Sequence, residues 1–231
     1  MNKFTRRTVI AAACAAAAMT FAPMSFAQQA PEKKDVTIAV GGKSLYYYLP
    51  LSIAEQLGYF KDEGLNVKIV DFQGGSRSLQ AVVGGSADVV SGAFEHTISM
   101  QAKKQPMTAF VLQGRAPQLA LVVSNKTMKD YKQLSDLKGK KVGVTAPGSS
   151  SQMVANFILK KGGLGPKDVA FIGVGSSSGA VSAIRSGQID ALINLDPVIT
   201  ILLKNGDAKL VADTRKVKES ESFFGGTMPA G

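Results

Sequence analysis

Holding an anion calls for hydrogen-bond donors without a built-in acceptor, and two short runs of this chain offer them. Gly75-Ser76 and Gly148-Ser149-Ser150-Ser151 each stand where a small-residue loop gives way to a helical pattern. The first N–H groups of a helix have no acceptor inside it, and the helix dipole favours negative charge there. Glycine admits a ligand close to the backbone, and each serine adds a hydroxyl. Ser177 opens a third such segment. The competing reading is that these serines only cap their helices. Lys43 and Ser44 follow one strand-like run and Arg115 another. A cation in such a place pairs with an anion or faces solvent.

Tyr46, Tyr47 and Tyr48 are three of the chain's five tyrosines. A pair of them could sandwich a flat organic group, while neighbours in a run point different ways and at least one can be core. Phe94 can wall a cleft or join the core. Glu95 reads as a hydrogen-bond acceptor or helix cap rather than a catalytic acid, and Asn194 and Asp196 lie on one further loop. His96 is the sole histidine and Cys14 the sole cysteine, so no metal centre is expected and no cofactor is called for. Walker, zinc-ligand and complete dinucleotide fingerprints are absent. Gly173 and Gly175 begin a Rossmann-like spacing, but Ser178 stands where its third glycine belongs. Without a nucleophile–base pair, the reading is a binding protein rather than an enzyme.

These residues need elements to present them, and the chain builds those elements twice. The segment 75–90 returns as 177–192, 102 residues later, with Asp88 answered by Asp190. Each copy reads as loop, short amphipathic helix, glycine stop and buried strand. Strand patterns are expected at 36–40, 66–72, 88–91, 107–113, 119–124, 142–144, 169–174 and 210–212. Helices are expected at 50–57, 97–102, 198–204 and for about ten residues after Ser151, with no terminal helix in 223–231. Short apolar strands alternating with helices predict an α/β fold with mostly parallel sheets covered on both faces. In such sheets ligands lie beyond the carboxyl ends of the strands. Those ends are the loops at 41–48, 73–76, 91–96, 113–115, 146–151, 175–179 and 194–197.

Residues 1–27 carry the three parts of an export signal: Lys3, Arg6 and Arg7, then an alanine-rich apolar run, then Ser25-Phe26-Ala27. Sec and twin-arginine export both fit. The apolar run is shorter than the ~20 residues of a membrane span. Without Cys14 the exported chain has no thiol, which suits the periplasm. Its 27 basic and 17 acidic residues become 24 and 17 once the signal's three are removed, a balance of +7. That excess suits an anionic ligand or a solvated basic surface. Nucleic acid is a poor partner, since the chain has no tryptophan and its lysines are scattered.

Several runs together resemble a known family. The stretch 52–67, with Ala54, Gly58, Tyr59, Phe60, Glu63, Gly64, Leu65 and Val67, is similar to a signature of the periplasmic substrate-binding proteins of ABC importers. The subset is the one for nitrate, sulfonate, taurine and thiamine-precursor-like solutes. Gly84 to Asp88, Leu137 to Val144 with Pro147-Gly148-Ser149, and Asp190-Ala191 with Asp196-Pro197 match its later elements in order. The resemblance implies a two-lobed, hinged fold of the type II kind, closing on one small molecule and presenting it to a membrane permease.

On that frame residues 1–27 are the signal, 28–34 a mobile leader, 35–118 lobe one, 119–215 lobe two and 216–231 the start of a return crossing. Family chains continue beyond the point where this one stops, so an early stop is expected. A monomer binding a small organic anion is the first functional reading. A binder of an aromatic or pyrimidine-like compound is the second, and an enzyme of cofactor synthesis on the same fold the third. A regulatory ligand domain is disfavoured by the export signal.

Overall fold

A computed structural model describes residues 31–226, and from Lys33 onward they form one compact unit. The export signal and the first residues of the leader lie outside the described residues.

Strand β1 (Asp35–Val40) is the centre of a three-stranded parallel sheet of order β2-β1-β3. Its partners are β2 (Asn66–Asp71) and β3 (Val89–Val90). Helix α1 (Leu49–Gln56), a one-turn helix α2 (Tyr59–Asp62) and helix α3 (Gly75–Val83) connect them. Pro50 stands in the first turn of α1, where no N–H is needed. Helix α4 (Glu95–Ala102) follows β3.

The second sheet has five strands in the order β6-β5-β7-β4-β8. These are β4 (Ala120–Ser124), β5 (Lys141–Val144), β6 (Ala170–Gly173), β7 (Ala191–Asn194) and β8 (Ala208–Asp213). β5 pairs in parallel with β6 and β7, and β4 runs antiparallel to β7 and β8. Helices α5 (Ser150–Lys161), α6 (Ser178–Ser186) and α7 (Val198–Lys204) pack beside it. The fold is α/β, with parallel pairing predominant and one antiparallel insertion.

The repeat explains its own aspartates. Asp88 accepts from Thr37 N–H at 2.8 Å, while its own N–H donates to Thr37 O at 2.9 Å. Asp190 treats Lys141 the same way, at 3.0 and 2.8 Å. In each copy the acid that follows the helix accepts from a backbone amide of the strand beside it, β1 or β5. Its neighbour then enters the ladder, Val89 opposite Ile38 and Ala191 opposite Val142.

Two expectations fail. Residues 107–113 form no strand, and Phe110, Val111 and Leu112 are exposed. A ladder needs a neighbour, and β3 is two residues long and pairs with β1 alone among the described strands. Conversely, Val217–Phe224 forms a helix, α8, that the pattern did not signal. Phe224 lies 5.2 Å from the Phe157 ring of α5, Lys161 sits over Phe223 at 5.1 Å, and Lys161 Nζ donates to Ser222 O at 2.9 Å. Packing on α5, rather than local periodicity, holds it.

Candidate functional site

The loops beyond the carboxyl ends of the two sheets are in contact. Gly42 has φ of 120°, open to glycine, and a Cβ there would run into Ser176 Oγ of the facing sheet. Tyr46 N–H donates to Asp196 O at 3.0 Å. The two serine-bearing helix starts touch directly. Ser76 N–H donates to Ser149 Oγ at 3.0 Å, Ser149 Oγ lies 3.2 Å from Ser76 Oγ, and Ser76 Oγ donates to Pro147 O at 2.9 Å.

Beside this latch lies a cavity with about 30 Å³ of room for water-sized groups. A water needs ~10–15 Å³ on such a measure, so the lobes are nearly closed. Both sheets contribute to the lining: Tyr47, Gly75, Glu95 and His96 from the first, Thr145 and Ser150 from the second. Tyr47 is 7% exposed and His96 5%, and neither Tyr47 Oη nor His96 Nε2 has a hydrogen-bond partner among the described residues. Buried polar atoms rarely remain unpaired, because each carries a desolvation penalty of about 1–3 kcal/mol. Tyr48 closes the first-lobe side, edge-on to Tyr47 at 5.0 Å, with its Oη accepting from Gly41 N–H at 3.1 Å.

Burial sets the protonation of this group. It raises Glu95 above the usual carboxyl range, and its own backbone N–H offsets only part of that. It lowers the His96 imidazole, with Lys103 adding in the same direction. It drives the Tyr47 phenol up, helped by Tyr48 and Glu95, and pushes Tyr48 up to about 12. The first-lobe wall therefore presents a phenol, an uncharged imidazole and a carboxyl that is reluctant to ionise. Among the described residues, no lysine or arginine lines the cavity.

Of the residues expected at the site, Tyr47, Gly75, Glu95 and Ser150 meet at this cavity. Others have different partners in this conformation. Ser76 and Ser149 bind each other, and Gly148 N–H donates to Gln152 Oε1 at 2.7 Å. Ser151 is buried, and its hydroxyl accepts from Thr145 N–H at 3.1 Å, so it braces the end of β5. Asn194 is buried and bridges Gly175 O and Leu195 N–H. Lys43 pairs with Glu55 at 2.7 Å. Asp196 pairs with Arg215 at 3.1 Å and accepts from Thr200.

Arg115 lines a separate hollow with Tyr46, Asp196 and Arg215, and Tyr46 is 62% exposed. Phe94 borders a neighbouring apolar hollow. Ser44 and Ser177 are exposed, and Ser177 makes no side-chain cap. The sequence pattern weighed His96 only as a metal ligand, offered Tyr48 only as one of the three tyrosines, and did not single out Thr145. The signal available for His96 was its place beside Glu95, just after the β3 strand end and at the start of α4.

A family model described as NMT1/THI5 like matches residues 46–213. A solved protein from Bordetella bronchiseptica RB50 is 63% identical, with a TM-score of 0.85 over 86% of this chain and 63% of its own. The alkanesulfonate-binding protein SsuA from Xanthomonas axonopodis pv. citri, solved bound to MOPS, is 24% identical. Its TM-score is 0.63 over 80% of this chain and 62% of that one, a likeness of fold. The 4-amino-5-hydroxymethyl-2-methylpyrimidine phosphate synthase of Schizosaccharomyces pombe is 27% identical over 162 residues, which are 70% of this chain and 45% of that protein. The chain thus spans less than two thirds of each of these proteins. Its architecture is the two-lobed fold of periplasmic binding proteins. With more than half of its residues under one family model, the chain belongs to the NMT1/THI5-like family.

Proposed function

We propose that this protein works outside the cytoplasmic membrane as a monomeric solute receptor. It captures a small organic anion of the sulfonate, taurine or carboxylate kind between its lobes and delivers it to an ABC permease. The observation that carries this reading is the cavity between the two sheets. Two buried polar side chains there, Tyr47 and His96, lack partners, and helix starts from both lobes reach it. Export by the N-terminal signal would place the receptor in the periplasm.

The present cavity takes only water-sized groups, so uptake requires the lobes to part and the Ser76–Ser149 latch to open. The crossings at 113–119 and 214–216 are the hinge in this scheme. Leu119 and Thr214 tie them together, with Thr214 N–H donating to Leu119 O at 2.8 Å. Ligand contacts made by both lobes then favour closure.

A second reading, a receptor for an aromatic or pyrimidine-like compound, draws on the Tyr47–Tyr48 pair and on the name of the fission-yeast relative. Catalysis on this fold is the reading of another class. A thermal-shift screen of nitrate, alkyl and aryl sulfonates, taurine, carboxylates and pyrimidines separates them. A saturable rise in melting temperature with an organic anion, and no turnover of it, is the expected result. Stabilisation by pyrimidines alone transfers support to the second reading, and chemical conversion of the stabilising compound to the third.

A further inference from the structure

The end of the second lobe that lies away from the cavity carries a charge excess as large as that of the whole exported chain. Resting on the reading of an exported receptor, we propose that this end docks on a membrane surface of anionic lipid headgroups.

The topology collects the charge. β5, β6 and β7 run parallel, and the residues that follow β5 and β7 line the cavity. β4 runs antiparallel to β7 and β8, so the end of β4 and the start of β8 lie beside the starts of the other three strands. Helices α5, α6 and α7 begin near the cavity and finish at this far end. Four segments meet there: 125–141, 160–168, 185–190 and 204–209. Hydrogen bonds tie them together. Asn125 Nδ2 donates to Gly206 O at 2.9 Å, Lys126 Nζ to Ser186 O at 3.0 Å, and Gly139 N–H to Asp168 O at 2.7 Å. The four segments hold 12 basic and 5 acidic residues, against 24 and 17 in all of 28–231. The remainder is therefore balanced at 12 and 12, and lysines scattered along the sequence are gathered by the fold at one end.

Local structure accounts for some of these cations. Lys160, Lys161, Arg185 and Lys204 stand in the last turns of their helices, where they answer the helix dipoles. Lys126 caps the end of α6, and Lys132 lies near Asp136. Lys129, Lys138, Lys140, Lys141, Lys167 and Lys209 have no such duty. They lie outside α5, α6 and α7, and their ammonium groups have no hydrogen-bond or ion-pair partner among the described residues. The acids nearby are occupied elsewhere. Asp136, Asp168 and Asp190 accept from backbone amides at 2.8, 2.7 and 3.0 Å, and Asp207 pairs with Arg185.

The composition of the surface selects its occupant. None of the exposed large apolar side chains among the described residues falls in the four segments. A protein interface has an apolar, aromatic centre and is poor in lysine. A headgroup layer is a diffuse anionic plane, and it attracts each lysine brought near it without requiring a fitted pocket. Docked this way, the receptor stays beside the membrane of its permease while its cavity is turned away from the lipid and open to solutes.

Co-sedimentation of the exported chain, 28–231, with lipid vesicles tests this. Vesicles of phosphatidylcholine with one third phosphatidylglycerol should bind it at low salt, and pure phosphatidylcholine should not. Binding should fade as added salt shortens the Debye length. Replacing Lys129, Lys138, Lys140 and Lys167 together by Gln should lower the partition coefficient roughly tenfold or more. The same change at Lys61, Lys68, Lys103 and Lys104 of the first lobe alters net charge equally and should leave most of the binding. No binding of the unmodified chain to the anionic vesicles overturns the proposal, as does an equal loss in the two variants. Retention on immobilised polyglutamate without vesicle binding assigns the surface to an acidic protein and overturns it too. Solute affinity, read separately by thermal shift, should be the same in all three proteins, so a failed receptor reading and a failed membrane surface are told apart.

Discussion

The two copies of the repeat share a sequence pattern and a backbone plan, yet their surroundings differ. In the first, α3 leads to the two-residue β3, whose side chains are half-buried, and the small cluster beneath is built on Ala39, Ala81 and Ala87. In the second, α6 leads to β7, four residues long and wholly buried. There Ile184, Ile189 and Leu192 join Ile199 and Leu202 in a large cluster. The difference is a neighbour. β7 lies between β5 and the antiparallel β4, whereas β3 has β1 alone. Strand length and burial are thus set by what stands beside the motif rather than by the motif. Of the two copies, only the first reaches the cavity, through Gly75 at the start of α3.

Cutting into the cores gives the largest expected contrast. Leu192 in β7 and Val90 in β3 hold matching places, opposite Gly143 and Ala39. Leu192→Ala should lower unfolding free energy by about 3 kcal/mol, as a cavity in a packed core does. Val90→Ala should cost about 1 kcal/mol for methyl groups only half removed from water. Urea denaturation measures both, and equal losses would erase the distinction between the copies.

Next in size is the latch between them. Ser149→Ala removes the acceptor of Ser76 N–H, worth about 1 kcal/mol to the closed arrangement. The variant should stay folded and show a larger radius of gyration by small-angle scattering. An unchanged radius would mean that other contacts hold the lobes.

Smaller still are two opposite pH effects. Asp88 is held below the usual carboxylate range, first by its Lys33 hydrogen bond and then by Thr37 N–H. Its contribution to stability is complete above the unfolded-state pKa and is lost as pH falls through the folded one. Asp88→Asn should therefore flatten the acid limb of the melting-temperature profile. Glu95 is shifted the other way by burial. Its contribution is present below the unfolded-state pKa and is lost as pH rises through the folded value. Glu95→Gln should remove that decline, and a wild-type-like slope in the variant would show that another group titrates there.

Much of the fold was legible because its signals are local. The glycine stops, the apolar strand runs and the doubled Gly-x-x-Asp spacing placed α3, α6, β1, β2, β5 and β7 without reference to any neighbour. The apolar run 107–113 misled for the complementary reason. It has the composition of a strand, but no ladder beside it to join. Helix α8 escaped notice because Phe223 and Phe224 become anchors only once α5 is in place.

The site divides along the same line. Spacing alone determined that Gly75, Ser76, Ser149 and Ser150 begin helices, and that Tyr47 and Glu95 follow strand ends. Only the tertiary structure decided which of them face the cavity. Ser149 turned to Ser76, Ser151 to Thr145 and Asn194 to Gly175, while Tyr47, Glu95 and His96 line the cavity. A residue's type and position specify which hydrogen bonds it can make. The acceptor it finds depends on which part of the chain is folded against it, 6 residues away for Ser151 and Thr145 but 73 for Ser149 and Ser76.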